Sequence, residues 1–181
     1  MVYVLLGEGF EEAEAIVPVD LLRRAGVEVK LAGVTGSQVT SSHGITVVCD
    51  CALREIDEEN LTMLMLPGGL GGVEAIQESE AALGIIQRAA DRGVYIAAIC
   101  AAPTILARLG LLDRRQAVCY PGMEDQMLSA VVRKGTPVVT DGHIITSEAA
   151  GSAFEFGFKL VEILTDAETA RQVRQAVHYH H

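Results

Sequence analysis

The sequence predicts an α/β fold, a mostly parallel β-sheet covered by helices on both faces. Short unbroken apolar runs such as Val2–Leu6, Leu61–Leu66 and Val94–Ile99 suit strands buried on both sides. Segments with helical spacing alternate with these runs along the chain. Glycine or proline marks many of the junctions.

Val2–Leu6 reads as the first strand. Glu11–Ala25 places Ala13, Ile16, Val17 and Leu21 on one side at helical spacing, and Gly26 ends it. Val27–Val34 is the next strand. Val39–Val48 alternates polar and apolar residues around His43-Gly44, as a short hairpin or meander does. Leu61–Leu66 runs into Pro67-Gly68-Gly69. Ser79–Arg92 is a helix stopped by Gly93, and Val94–Ile99 is the strand before Cys100. The next helix has Pro103 in its first turn and Gly110 past its end. Ala117–Cys119 is a short strand. Pro137–Thr140 and His143–Thr146 flank Asp141-Gly142, a hairpin turn pair. Ala149–Leu164 and Ala167–Val177 are closing helices. No repeat or linker interrupts the 181 residues, which form one domain (1–181). Residues 178–181, with three histidines, read as a frayed tail or a tag remnant.

The formal net charge is -10, and no basic stripe exists to neutralise phosphates, so nucleic acid is not an electrostatic partner. No apolar run reaches the ~18 residues a membrane helix needs. The N-terminal M-V-Y-V-L-L-G lacks the basic start of a signal peptide, so a cytoplasmic protein is expected. Cysteines 49, 51, 100 and 119 make no disulfide framework. Cys49 and Cys51 stand two apart on a probable strand end and should share one face. His43 is too isolated to join them in a metal site, and no metal or cofactor is implied.

Cys100 lies between an apolar strand and a helix start. Peptide dipoles there favour thiolate, the form that attacks electrophiles, and an acidic thiol is expected. A small buried cysteine at a strand end would have the same local sequence. Ligands of parallel sheets bind beyond the carboxyl ends of the strands. Three such ends carry unusual residues: Gly7-Glu8-Gly9, Pro67-Gly68-Gly69 and Cys100. If they converge, Gly68-Gly69 can bring a backbone N–H to an oxyanion, and the N–H after Cys100, that of Ala101, is a second donor. The Gly-Glu-Gly run is not a dinucleotide fingerprint, because Glu12 occupies the position of the third glycine.

The proton carrier is sought among Glu11, Glu12 and Glu14, which also suit a helix first turn. Pro18 lies four residues after Glu14 and cannot donate to its carbonyl, so the helix is disturbed where Glu14 sits. Burial beside sulfur would raise the Glu14 pKa and make it a general acid.

Four segments carry a resemblance: Glu11–Gly26, Leu66–Gly69, Ala97–Thr104 and Thr146–Phe156. They resemble the ThiJ/PfpI family, and within it the branch of the parkinsonism-associated protein deglycase and its bacterial relatives. The similarity runs from Val2 to about Val177. It implies a flavodoxin-like α/β sandwich and a homodimer. It implies Cys100 as the oxidisable nucleophile, Glu14 as its carboxylate partner, and Gly69 and Ala101 as oxyanion donors. It also implies glyoxalase-type or deglycase chemistry on small reactive aldehydes and glycated adducts without a cofactor. The alternative is a redox sensor or redox-regulated chaperone that oxidises Cys100 without turnover.

The departures from the family pattern are local. Protease-like members carry His after the cysteine, where Ala101 stands, so peptidase activity is not expected. Tyr120-Pro121 occupies the place of a His-Pro pair in animal members. Ala149-Ala150-Gly151 replaces Gly-Pro-Gly, and Ala102 replaces a common Gly. Gly68, Tyr120 and Ala150 are therefore expected to shape the substrate pocket. Arg24 matches an arginine that reaches the partner's site across the dimer.

Overall fold

The computed structural model describes residues 1–180. Its strands are β1 (Val2–Leu6), β2 (Val29–Gly33), β3 (Gln38–Thr40), β4 (Thr46–Val48), β5 (Cys51–Ala52), β6 (Met63–Leu66), β7 (Tyr95–Ile99), β8 (Gln116–Ala117), β9 (Val131–Val132), β10 (Val138–Asp141) and β11 (Ile144–Ser147). Its α-helices are α1 (Glu12–Arg24), α2 (Leu70–Glu78), α3 (Glu80–Asp91), α4 (Pro103–Arg108), α5 (Ala153–Leu164) and α6 (Ala167–Ala176).

Seven strands form the central sheet in the order β10-β11-β7-β6-β1-β2-β5. All neighbouring pairs are parallel except the β10–β11 hairpin at one edge. This is the expected flavodoxin-like arrangement. Alternate residues of the buried strands enter opposite layers. Tyr3, Leu5, Leu64, Leu66, Ile96 and Ala98 pack with α2, α3 and α4. Val2, Val4, Leu6, Met63, Met65, Ala97 and Ile99 pack with α1, α5 and α6. Two dry faces on one strand leave no polar position, which is why these strands read as continuous apolar runs.

The order reverses at β1, with β2 on one side and β6 on the other. Such a reversal opens a crevice at the carboxyl ends of the strands. The loops after β1 and β6 approach there at backbone distance. A Cβ on Gly69 would lie 2.4 Å from the Gly9 carbonyl oxygen, and one on Gly72 would lie 2.8 Å from Phe10 Cα. These contacts explain α2, a helix the sequence did not reveal. Gly71 and Gly72 lower its helix propensity, but the approach to the β1–α1 loop requires them. Ser79 then caps α3 by accepting from the Ala82 N–H at 3.2 Å.

Other expectations shift. The 39–48 hairpin forms, but β3 and β4 make a separate two-stranded sheet. The strand read at Ala117–Cys119 is β8, which pairs with the unexpected β9. Cys49 and Cys51 do not share a face, since Cys49 lies in the α1/α5 core and Cys51 against the opposite one. Asp50 turns the chain between them: its N–H donates to the Leu31 carbonyl at 2.8 Å, and its carboxylate accepts from the Leu31 N–H at 2.7 Å. The tail is not frayed at Tyr179, whose ring stacks on Phe154 and lies edge-on to Phe158. His181 lies outside the described residues.

Helices α1 and α5 cross closely because Gly157 has no side chain. A Cβ there would stand 3.1 Å from Pro18 Cα and 2.6 Å from Leu21 Cδ1. Gly157→Ala gains about 1 kcal/mol of helix propensity but costs about 1–3 kcal/mol of overpacking. We expect thermal unfolding to shift down by about 2–4 °C, the effect of about 1 kcal/mol in a domain this size. An unchanged or higher midpoint would show that α1 moves aside freely.

Candidate active site

Cys100 is the first residue after β7, and its backbone adopts φ 67°. A side chain in this left-handed region costs on the order of 1 kcal/mol or more. The surrounding structure holds it there. The Cys100 N–H donates to the Ser147 carbonyl at 3.0 Å, and the Cys100 carbonyl accepts from the Tyr120 N–H at 2.8 Å. The turn lifts the half-buried sulfur beyond the sheet, where it meets both core layers.

Glu14 reaches the same point from α1 and is 1% exposed. The Gly68 N–H donates to Glu14 Oε2 at 2.8 Å. The Ala150 N–H and the Cys100 thiol lie beside this carboxylate as well and favour its charged form. A Cβ on Gly68 would stand 2.5 Å from Glu14 Oε2 and 3.0 Å from Cys100 Sγ, so only glycine leaves room for the pair. The Gly69 and Ala101 N–H groups lie near the sulfur and favour its thiolate. The three strand ends thus meet as expected, and a fourth, Ala149-Ala150 after β11, joins them.

Burial pushes Glu14 up to about 7, against the pull of its hydrogen bonds, and the nearby Glu11 charge adds to the rise. Cys100 does not carry the acidic thiol expected from its position. Burial first, then the Glu14 charge, pushes it up to about 12, and the Gly69 and Ala101 amides offset only part of this. Between those two values the pair holds one proton, on sulfur, with the carboxylate beside it as acceptor. Cys119, pushed up to about 11, Cys49 and Cys51 are also raised, each by burial first.

The cavity over Cys100 has a volume of about 420 Å³. Its lining includes Glu11, Glu14, Gly69, Leu70, Ala101, Tyr120, Met123 and Ala150. Glu11 is oriented at its edge by the Ser42 hydroxyl, which donates to Glu11 Oε2 at 2.9 Å. His43 is not isolated: its Nδ1 lies 3.0 Å from Glu12 Oε1 and 3.6 Å from Glu11 Oε2. Glu12 is the main cause of the upward shift of His43. Arg24 is not brought to the cavity within the chain. It pairs with Asp20 at 2.7 Å on the exposed end of α1 and lines a separate groove with α6 residues.

The family model for the DJ-1/PfpI family matches residues 1–163. The chain belongs to the DJ-1/PfpI family. This DJ-1/PfpI protein is 37% identical over 177 residues to Protein dj-1beta of Drosophila melanogaster, covering 96% of this chain and 94% of that one. It is 33% identical over 164 residues to a deglycase of Pyrococcus abyssi, covering 90% of this chain and 98% of the relative. Among solved structures, Drosophila melanogaster DJ-1beta superposes with TM-score 0.95 at 35% identity, covering 99% of this chain and 98% of the other. A DJ-1 superfamily protein of Salmonella typhimurium gives TM-score 0.93 at 33% identity, covering 99% and 98%.

For this DJ-1/PfpI protein, sequence reasoning placed Cys100, Glu14, Gly68, Gly69, Ala101, Tyr120 and Ala150 together, and the structure brings them to one cavity or its wall. It missed Leu70 and Met123. Leu70 directly follows Pro67-Gly68-Gly69, so the strand-end rule pointed to it. Met123 lies outside the strand ends, and no sequence signal marked it.

The charge on Glu14 raises the thiol, so its removal should lower it. We expect Glu14→Gln to move the Cys100 titration, followed by thiolate ultraviolet absorbance against a Cys100→Ser blank, to a midpoint below that of the unmodified protein. An unchanged or higher midpoint would mean that the carboxyl is neutral when the thiol ionises.

Proposed function

We propose that this protein is a cofactor-free cysteine enzyme of glyoxalase or deglycase type, acting on small reactive carbonyls and early glycation adducts. The observation that carries this reading is the thiol of Cys100 set beside a buried carboxylate, Glu14, whose pKa is raised to about 7. A proton acceptor works best when its pKa lies near the working pH. The deglycase relative of Pyrococcus abyssi supports the substrate class.

In the proposed reaction, Glu14 takes the thiol proton as Cys100 sulfur attacks the aldehyde carbon of methylglyoxal. The Gly69 and Ala101 N–H groups donate to the developing oxyanion, which then accepts the proton from Glu14. The resulting hemithioacetal loses its C1 proton to Glu14, which returns it at C2, while the hydroxyl proton passes from the C1 oxygen to the C2 oxygen. The aldehyde carbon is oxidised to a thioester while the neighbouring ketone carbon is reduced to an alcohol. Water cleaves the thioester, releasing lactate and restoring the thiol. No external oxidant enters the balance. Gly68 keeps the dyad in contact, and Ala150 supplies both a wall and an N–H beside Glu14.

The second reading is a redox sensor or redox-regulated chaperone. The half-buried sulfur with two amide donors would also hold the oxygens of an oxidised Cys100. Proton NMR of methylglyoxal with catalytic amounts of protein separates the two. Steady lactate formation supports the enzyme, and a stoichiometric adduct without turnover supports the sensor. Glu14→Gln should cut turnover by ~10²-fold or more, even though its thiol is easier to ionise. His143, in the β10–β11 turn and tilted against the Tyr95 ring of β7, serves as a control. His143→Ala should stay within about threefold, as expected for a group outside the proton path. Full activity in Glu14→Gln would remove Glu14 from that path.

A homodimer sharing α1 is part of the same proposal. Ile16 on α1 is 40% exposed, and Val48 on the β3–β4 hairpin is 69% exposed. Pairing two copies through α1 would remove Ile16 from water. The partner subunit's Arg24 is then the residue proposed to bind anions at the pocket. The chain itself has no helix long and apolar enough to cross a membrane among the described residues. Sedimentation equilibrium at micromolar concentration should report a mass of two chains, and a stable single-chain mass would rule the assembly out.

A further inference from the structure

The cavity over Cys100 is larger and more apolar than the smallest carbonyls need. Its 420 Å³ falls among pockets of about 300–1,000 Å³ that take drug-sized ligands, and methylglyoxal fills a small part of it. Its charged and donor groups are Glu11, Glu14 and the amides at the sulfur. The remaining large side chains are Leu70, Tyr120 and Met123.

Leu70 is 73% exposed and Tyr120 48% exposed, although both line the cavity that holds the nucleophile. Their placement is fixed through the backbone. Leu70 opens α2 directly after the sulfur donor Gly69. The Tyr120 N–H is bonded to the Cys100 carbonyl, and the Met123 N–H donates to the Tyr120 carbonyl at 3.0 Å. Each apolar group is therefore tied within a few bonds to the reacting end. The Tyr120 ring offers a face or edge to another ring, and the Met123 thioether adapts to an irregular aromatic outline.

We propose that Leu70, Tyr120 and Met123 form an apolar subsite beside Cys100 for the substituent of an α-oxoaldehyde, making arylglyoxals better substrates than methylglyoxal. The word substrate rests on the carbonyl-enzyme reading, whereas the subsite needs only a bound group within reach of Cys100. A carbonyl carbon at sulfur places its substituent in the rest of the cavity. Within one chain the acids Glu11 and Glu14 lie at the reacting end, and the three apolar side chains gain by covering a neutral ring.

Two neutral alkylating reagents test the subsite without turnover. In iodoacetamide and N-phenyl-iodoacetamide the Cys100 sulfur displaces iodide in the same way, and only the substituent differs. Rate constants at Cys100 are read by mass spectrometry on the native full chain, with glutathione as the free thiol. The protein's preference for the phenyl reagent should exceed that of glutathione by about tenfold or more, the scale of added apolar contact in a pocket. Tyr120→Ala and Leu70→Ala should each reduce this excess by about threefold or more. Phe154→Ala, on an exposed aromatic that does not line the cavity, should leave it unchanged. A preference equal to that of glutathione, or one that neither Tyr120→Ala nor Leu70→Ala alters, overturns the subsite, as when a second copy covers both residues. Turnover of phenylglyoxal and methylglyoxal is measured on the same proteins. Labelling preference without turnover of either removes the enzyme reading and keeps the subsite. Turnover without labelling preference does the reverse.

Discussion

A carboxylate buried beside a thiol, with no cation paired to it among the described residues, sets the terms for the rest of this molecule's site. Glu14 is 1% exposed and makes no ion pair among the described residues. A charge removed from water in this way is costly unless hydrogen bonds compensate it. The Gly68 N–H donates to it, and the nearby Ala150 N–H and Cys100 thiol add to its support. Each donor makes a demand on the fold. Gly68 must lack a side chain, Cys100 must hold φ 67°, and α1 must deliver Glu14 to the strand ends. The β1–β6 reversal and the glycines of α2 satisfy these demands at one place.

This arrangement costs stability. The folded Glu14 pKa is raised from 4.5 to about 7. Between these values the folded state binds more protons than the unfolded state, so stability falls as the pH rises through this window. The loss is fully present above the folded pKa and absent below the unfolded one. A shift of this size corresponds to about 3 kcal/mol, at 1.36 kcal/mol for each pKa unit. The same cost places a proton acceptor near neutral pH against a thiol, which a solvated glutamate cannot be.

Much of this was legible in the chain. Continuous apolar strands declared a sheet buried on both faces, and the strand-end rule located Cys100, Gly68 and Gly69. Pro18, which cannot donate to the Glu14 carbonyl, drew attention to Glu14, and α1 runs unbroken through both. The features that stayed hidden depend on tertiary contact. Gly71 and Gly72 argue locally against a helix, and only their approach to Glu8 and Phe10 explains why α2 contains them. A thiol at a helix start suggests acidity, but the burial that reverses it is set by elements distant in sequence. Tyr179 looked like tail until Phe154 and Phe158 supplied a surface for it. Arg24, expected near a pocket, instead pairs with Asp20 at the exposed end of α1, a contact the family pattern did not indicate.

The central claim is that Glu14 and Cys100 are one proton-sharing unit. Carbon-detected NMR of the glutamate carboxyl groups, followed against pH, tests it most directly. One carboxyl should titrate at about 7, be absent in Glu14→Gln, and move to still higher pH in Cys100→Ala, because the neighbouring thiol lowers it. A Glu14 carboxyl that titrates in the ordinary glutamate range, or that is indifferent to the loss of the thiol, would contradict it.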